Sequence, residues 1–379
     1  MSQTKSILMY GFAIFAMFFG SGNLVFPLQI GYADGAHWLL GFAGLLITGI
    51  LLPFLGLFVI KLYHGDYQQF FAGAGKTASV FLPFAMLSLL GAFGVVPRCI
   101  TVAYGSMRCM MPEMSLTLFS LLFCLLTYAI CLNDKLMIKI LGKWISPVLL
   151  AALLILTLVA VFCSPAAVTP QPAQTAFLTG FYTGYQTMDL FAAFFFSALT
   201  FAQIQKHMPD ATNREVLRFA IKPNIVAAIL LALVYLGFVY MGAHYSFLMQ
   251  DVAAESMLPT IAQYTMGNRA TQLIGITVLF SCLSTAVALN NLYARYLCNT
   301  LKFKENKFHY VLVGTTLISF AISLLDFRGI AAFLQPALEI FYPGVIALTI
   351  ISIACKQRQR LKKFLFYGIT LFTIGYGFF

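Results

Sequence analysis

Apolar runs of roughly 20 residues, the length a helix needs to cross a bilayer, recur along almost the whole chain, and the polar interruptions between them are too short to hold a soluble domain. In hydrocarbon every backbone amide and carbonyl must be satisfied within the chain, and a helix does this within a single segment. The runs place spans at 7–30, 38–62, 79–104, 115–132, 138–162, 177–204, 222–245, 269–297, 308–325, 329–353 and 361–379. That is about eleven transmembrane helices. Residues are 61% hydrophobic and only 9% charged, which no soluble globular domain of this size tolerates. The expected fold class is therefore all-α, a polytopic membrane protein with one transmembrane domain over 1–379. The first run follows Lys5 and has no small-residue cleavage site, so it reads as a retained span and not a signal peptide.

A net charge of +11 raises the question of an anionic partner, and the distribution of the charge answers it. With a cytoplasmic N-terminus, Lys5, Lys61, Lys76, Lys135, Lys139, Lys143, Lys206, Arg214, Arg218 and Lys222 fall inside. So do Arg295, Lys302, Lys304, Lys307, Lys356, Arg358, Arg360, Lys362 and Lys363, which leaves only Arg98, Arg108, Arg269 and Arg328 of the 23 basic residues. This is the positive-inside pattern of a multi-pass protein of a cytoplasmic (inner) membrane, so the lipid bilayer is the partner and no nucleic acid is needed. Trp38 and Trp144 lie near helix ends, where indoles sit at the lipid–water interface. The uncharged Ser164–Thr175 stretch, with three prolines, reads as an extended outside connector, and Ser246–Asn268 as a longer outside loop with a short helix around 253–264.

The strongest local signal is FFGSGNLVFP, Phe18 to Pro27, inside the first span. Gly20, Ser21, Gly22, Asn23 and Pro27 all weaken helices. Irregular backbone at membrane depth is tolerated only where it is buried in protein or lines a polar cavity. A half-helix ending near Phe19 offers unpaired carbonyls to a small cation, and one starting near Leu24 offers free amides to a carboxylate. The competing reading is close helix packing through the small residues. Asn23 at mid-span and Pro27 one turn on favour a binding site.

In SCLSTAVALNN of the eighth span, Ser281, Ser284 and Thr285 share a helix face at i, i+3 and i+4. They either complete an oxygen cage for a hard cation or bond back to their own helix. Arg98, in FGVVPRCITVAY, marks a cavity or gate, or else snorkels to the interface. Asp189 in GYQTMDLFAAFFFSA and Glu339 in QPALEIFYPG are solvated helix-end charges or gating and proton-accepting carboxylates. Eight cysteines without C-x-x-C and five histidines without metal spacing give no catalytic or metal centre, and no ATP-binding fingerprint occurs. Neither a pore repeat nor a filter-like carbonyl string points to a channel. The chain reads as no enzyme.

FAMFFGSGNLVFP, VVPRCITVAY, GYQTMDLFAA and SCLSTA together resemble the bacterial branched-chain amino acid carriers, which are cation-coupled symporters of leucine, isoleucine and valine, over nearly the whole chain. That family is similar in turn to transporters with the leucine-transporter fold. The resemblance implies a 5+5 inverted repeat with discontinuous first and sixth helices, repeats at about 7–162 and 177–353, and an extra helix at 361–379. It implies a monomer carrying a small amino acid substrate, with Na+ as coupling ion; H+, another neutral amino acid and a channel are the alternatives. Carried over by position, the cation meets carbonyls of Ala16, Phe19 and Ser281 and hydroxyls of Ser284 and Thr285. The substrate meets Gly20, Ser21, Gly22 and Asn23, and the sixth-helix break is expected near Ala193–Ala198 with Phe196 and Ser197 beside it. The glycine expected there is here Ser197, Gly105 stands where an acidic residue is usual, and members generally have twelve spans.

Overall fold

The computed structural model describes residues 3–108, 110–132, 145–165, 173–208, 212–303 and 305–377; the described apolar runs are helical, and no strand occurs among the described residues. The first half contains α1 (Gln3–Phe18), α2 (Ser21–Asp34), α3 (Trp38–Leu45), a π-helical turn Leu46–Leu51, α4 (Leu52–Leu62), the short α5 (Tyr67–Phe71), α6 (Lys76–Leu90), α7 (Val95–Met107), α8 (Leu116–Cys131) and α9 (Ile145–Phe162). The second contains α10 (Ala176–Gln186), α11 (Asp189–His207), α12 (Asn213–His244), α13 (Met257–Met266), α14 (Asn268–Thr300), α15 (Phe308–Ser323), α16 (Asp326–Ala354) and α17 (Gln359–Gly377). Side chains fix several starts. Ser115 caps α8 by accepting from the Leu118 amide, and Thr212 with Glu215 closes a reciprocal capping box at the start of α12.

By length and apolarity Ser21–Leu62, Lys76–Met107, Glu215–His244, Asn268–Thr300 and Asp326–Ala354 can cross a bilayer, and Ala176–Gln186 with Asp189–Lys206 makes a further span bent by 45°. Leu116–Cys131, Val148–Phe162 and Phe308–Ser323 are shorter apolar helices. The expected loop helix near 253–264 is α13, preceded by a 3-10 turn at Ala254–Ser256. Lys135, Lys139, Lys143, Trp144 and the middle of the Ser164–Thr175 connector lie outside the described residues.

The sixth-helix expectation is corrected. Residues 193–198 lie in the unbroken α11, and the chain breaks instead at Thr187 and Met188. Met188 takes the left-handed conformation, φ 58 and ψ 17, without a glycine. The turn is closed locally: the Thr187 hydroxyl donates to the Gly184 carbonyl at 2.9 Å and accepts from the Asp189 amide at 3.4 Å. The third span also breaks, between Leu90 and Val95, where no break was expected.

The broken segments have matching neighbours. Both α1 and α2 pack on α12, α10 packs on α3 and α11 on α4, and α7 lies along α14 at the centre. Lipid gives helices no hydrophobic reason to associate, so close backbone approach and polar contacts must hold them. A Cβ at Gly31 of α2 would land on the Val239 carbonyl of α12, and one at Gly180 of α10 on the Gly41 carbonyl of α3. At one end of the bundle Lys356 donates to the Leu62 carbonyl at 2.7 Å and Lys362 to the Tyr63 hydroxyl at 2.6 Å. These bonds join the ends of α4 and α16 to the start of α17.

Candidate functional site

The two helix breaks meet. After α1 the chain is extended at Gly20 (φ −124, ψ −162), and α2 restarts at Ser21. The Asn23 side chain folds back so that its Oδ1 accepts from the Gly20 amide at 3.4 Å, which caps the new helix from inside. A Cβ at Gly22 would sit 3.4 Å from Thr187 Cα, in ordinary contact with the second break. The break is shorter than expected: α2 begins at Ser21 and not near Leu24, because the Asn23 side chain caps its first turn, so only Phe19 and Gly20 leave the helix, and both are buried in protein and not turned to lipid.

A polar cluster joins the breaks to α12. Asn23 Nδ2 donates to Asp189 Oδ2 at 2.8 Å and to the Tyr235 hydroxyl, which itself donates to Asp189 Oδ2 at 3.1 Å. Asp189 is only 3% exposed, so solvation at a helix end does not explain it. Both side-chain donors it meets here are neutral. Burying a carboxylate is costly, which marks Asp189 as a candidate functional residue. Tyr235 was invisible to sequence reasoning because a tyrosine in an apolar helix carries no periodic signal, and its partner Asn23 lies 212 residues away.

Oxygen atoms converge beside the end of α1. Ser281 Oγ donates to the Phe19 carbonyl at 3.5 Å, and a Cβ at Gly20 would meet Thr285 Cγ2 at 3.1 Å and Oγ1 at 3.5 Å. Ser284 turns back on its helix, donating to the Ser281 carbonyl at 2.7 Å, so its hydroxyl also borders that carbonyl. Ala16 lies one turn before Gly20 and is half-buried. Carbonyls and hydroxyls without thiolate or imidazole are the donor types that suit a hard, weakly polarising cation such as sodium.

The aromatic run of α11 is engaged elsewhere. Phe194 stacks on Phe70 with centroids 5.2 Å apart, and Phe195 packs edge-on to Tyr67 at 5.1 Å. Phe196 meets Phe18 at 5.6 Å on the last turn of α1, while the Ser197 hydroxyl is committed to the Leu57 carbonyl at 2.6 Å. Phe196 thus flanks the first break, and Ser197 faces α4. Arg98 has no exposed surface, so it does not snorkel: its Nη1 donates to the Gln186 carbonyl at 2.6 Å and its guanidinium lies 5.3 Å from the Phe26 ring centroid. Next to it Cys99 donates to Ser21 Oγ at 3.5 Å. Above Phe26 and Gln186 opens a cavity of about 330 Å³, lined also by Gln29, Thr183, Gln335 and Glu339. Glu339 is exposed and accepts from Gln335 at 2.8 Å.

Residues 3–377 match the model of the family described as branched-chain amino acid transport protein. The chain belongs to that family. Among curated members of the branched-chain amino acid transport family, the permease BraB of Bacillus subtilis is 28% identical, over 98% of this chain and 85% of its own length. The system 3 carrier protein of Pseudomonas aeruginosa is 30% identical, over 92% of this chain and 80% of its own. These relatives are named permeases and carriers, so the chain is a multi-pass transporter of that family and not an enzyme. Its fold is shared with Mhp1 in an inward-facing conformation, with a TM-score of 0.65 at 15% identity over 93% of this chain and 77% of that one. It is shared too with MhsT in complex with L-phenylalanine, with a TM-score of 0.62 at 14% identity over 98% and 97%.

Proposed function

We propose that this chain is a secondary active symporter that imports leucine, isoleucine and valine with sodium by alternating access. The observation that carries the reading is the meeting of two buried helix breaks, one ending at Phe19 beside Ser281 and Thr285, the other presenting Asp189 to Asn23 and Tyr235. Sodium would be held by the carbonyls of Ala16, Phe19 and Ser281 and the hydroxyls of Ser284 and Thr285. It adds binding energy to the conformation in which α1 and α14 stand together, which biases the equilibrium toward that state. The amides at the start of α2, around Ser21 and Gly22, are directed at the substrate carboxylate, with Gly20 and Asn23 shaping the turn. Phe196 borders the apolar side, and Ser197 fixes α11 to α4 through its bond to Leu57.

The matched packing of the two broken segments supports reading 7–162 and 177–353 as inverted copies, with 361–379 added; we propose that the transporter works as a monomer. The lysines gathered where α4, α16 and α17 meet support a cytoplasmic placement of that end in a bacterial inner membrane. The cavity above Phe26 and Gln186 then opens outward.

The test is uptake of radiolabelled leucine into proteoliposomes with sodium and proton gradients imposed separately, and with unlabelled amino acids as competitors. Uptake is expected to follow the sodium gradient and to be displaced by isoleucine and valine. Flux that follows only protons reassigns the ion, displacement by other neutral amino acids instead reassigns the cargo, and flux indifferent to every gradient indicates a channel.

A further inference from the structure

Arg98 is pinned in a way that leaves one edge bare. Its Nη1 is spent on the Gln186 carbonyl and its face lies over Phe26, yet Nε and Nη2 have no hydrogen-bond partner although the residue is fully buried. Nε and Nη2 are the two donors along one side of the guanidinium, the side whose parallel N–H groups match the two oxygens of a carboxylate. Leaving them unpaired inside a protein costs more than most single contacts contribute. An arginine held by its third nitrogen and its ring face, with its bidentate edge free, is preorganised for an anion that is not part of the protein.

Asp189 is the counterpart. It is as deeply buried, its hydrogen bonds come from the neutral groups Asn23 and Tyr235, and both converge on Oδ2. Arg98 and Asp189 flank the same helix break, since the Gln186 that Arg98 holds and Asp189 lie on either side of Thr187 and Met188. Each nevertheless keeps its own neutral partners, with Arg98 anchored at the last residue of α10 and Asp189 at the first of α11.

Resting on the amino-acid reading above, we propose that Arg98 and Asp189 form a clamp for the zwitterionic head of an α-amino acid. The substrate carboxylate docks on the Nε–Nη2 edge of Arg98 and its ammonium on the carboxylate of Asp189. The α2 amides near Ser21 add to a carboxylate oxygen, since Cys99, the neighbour of Arg98, already touches Ser21. The side chain of the substrate carries no charge to either residue. The ligand class is thus any α-amino acid with both charged groups free, and the apolar walls choose among them.

The experiment measures dissociation constants on purified protein in saturating sodium chloride by ligand-induced thermal stabilisation. The ligands are leucine, leucinol, which lacks the carboxylate, and 4-methylpentanoate, which lacks the ammonium. Wild type is expected to bind leucine about 10- to 100-fold more tightly than either analogue, the worth of a charge-assisted hydrogen-bonded pair. Arg98→Gln should bring leucine down to the leucinol level while leaving leucinol binding unchanged. Asp189→Asn should do the same relative to 4-methylpentanoate, and Arg98→Lys should recover part of the carboxylate preference. Variants that lose all three ligands in equal proportion, or that still discriminate as wild type does, overturn the clamp. So does a wild type that binds an analogue as tightly as leucine, a result that needs no variant to fold. A folded wild type that binds no branched-chain amino acid instead removes the transport reading on which the clamp rests.

Discussion

At the scale of single residues, long-range hydrogen bonds give the site its shape. Asn23 does three things at once: it caps α2 through Gly20, donates to Asp189 and donates to Tyr235. Removing the hydroxyl in Tyr235→Phe strips Asp189 Oδ2 of one of its donors while keeping the ring volume. The expected cost is about 1–2 kcal/mol of stability, read as a lower thermal transition in detergent. Thr285→Val swaps a hydroxyl for a methyl of similar size next to Gly20. It is expected to raise the sodium concentration for half-maximal leucine uptake by about tenfold, roughly 1.4 kcal/mol, and an unchanged sodium titration would take this hydroxyl out of the ion site.

At the scale of elements, glycine spacing sets how closely helices approach. Gly180 and Gly41 bring the backbones of α10 and α3 together, and even one methyl at Gly180 would collide with a carbonyl that cannot rotate away. Gly180→Ala is therefore expected to destabilise the protein by about 1–3 kcal/mol, the usual cost of overpacking. Gly314 in α15 has open space around its Cβ position, so Gly314→Ala should be neutral or stabilising by up to about 1 kcal/mol through helix propensity. Thermal unfolding of the pair in one detergent makes the comparison. Equal effects would show that propensity, and not helix approach, governs both positions.

At the scale of the whole molecule, the bundle has a basic end and a cavity end, and the proposed orientation makes them chemically distinguishable. With Cys109, Cys163 and Cys355 changed to serine, a cysteine at Thr183 lines the cavity and one at Arg360 sits at the basic start of α17. In intact cells a membrane-impermeant thiol reagent is expected to label Thr183→Cys and to label Arg360→Cys only after permeabilisation. The reverse pattern would invert the topology.

What the sequence determined by itself was set by local chemistry. Hydropathy dictated helices and a membrane because lipid allows an isolated segment no other way to satisfy its backbone. Gly20, Ser21, Gly22 and Asn23, successive weak helix formers, disclosed the first break although α2 takes up Ser21 through Pro27, and i, i+3, i+4 spacing put Ser281, Ser284 and Thr285 on one face of α14. Only the tertiary structure decided the second break, since Thr187 and Met188 carry no glycine or proline and the left-handed Met188 is tolerated by what surrounds it. It likewise drew Tyr235 to Asp189, turned Ser197 toward Leu57, and held Arg98 inside with one edge unpaired. Which side chains meet across more than 100 residues depends on how helices cross, and helix crossing is a property of packed surfaces that no short window of sequence contains.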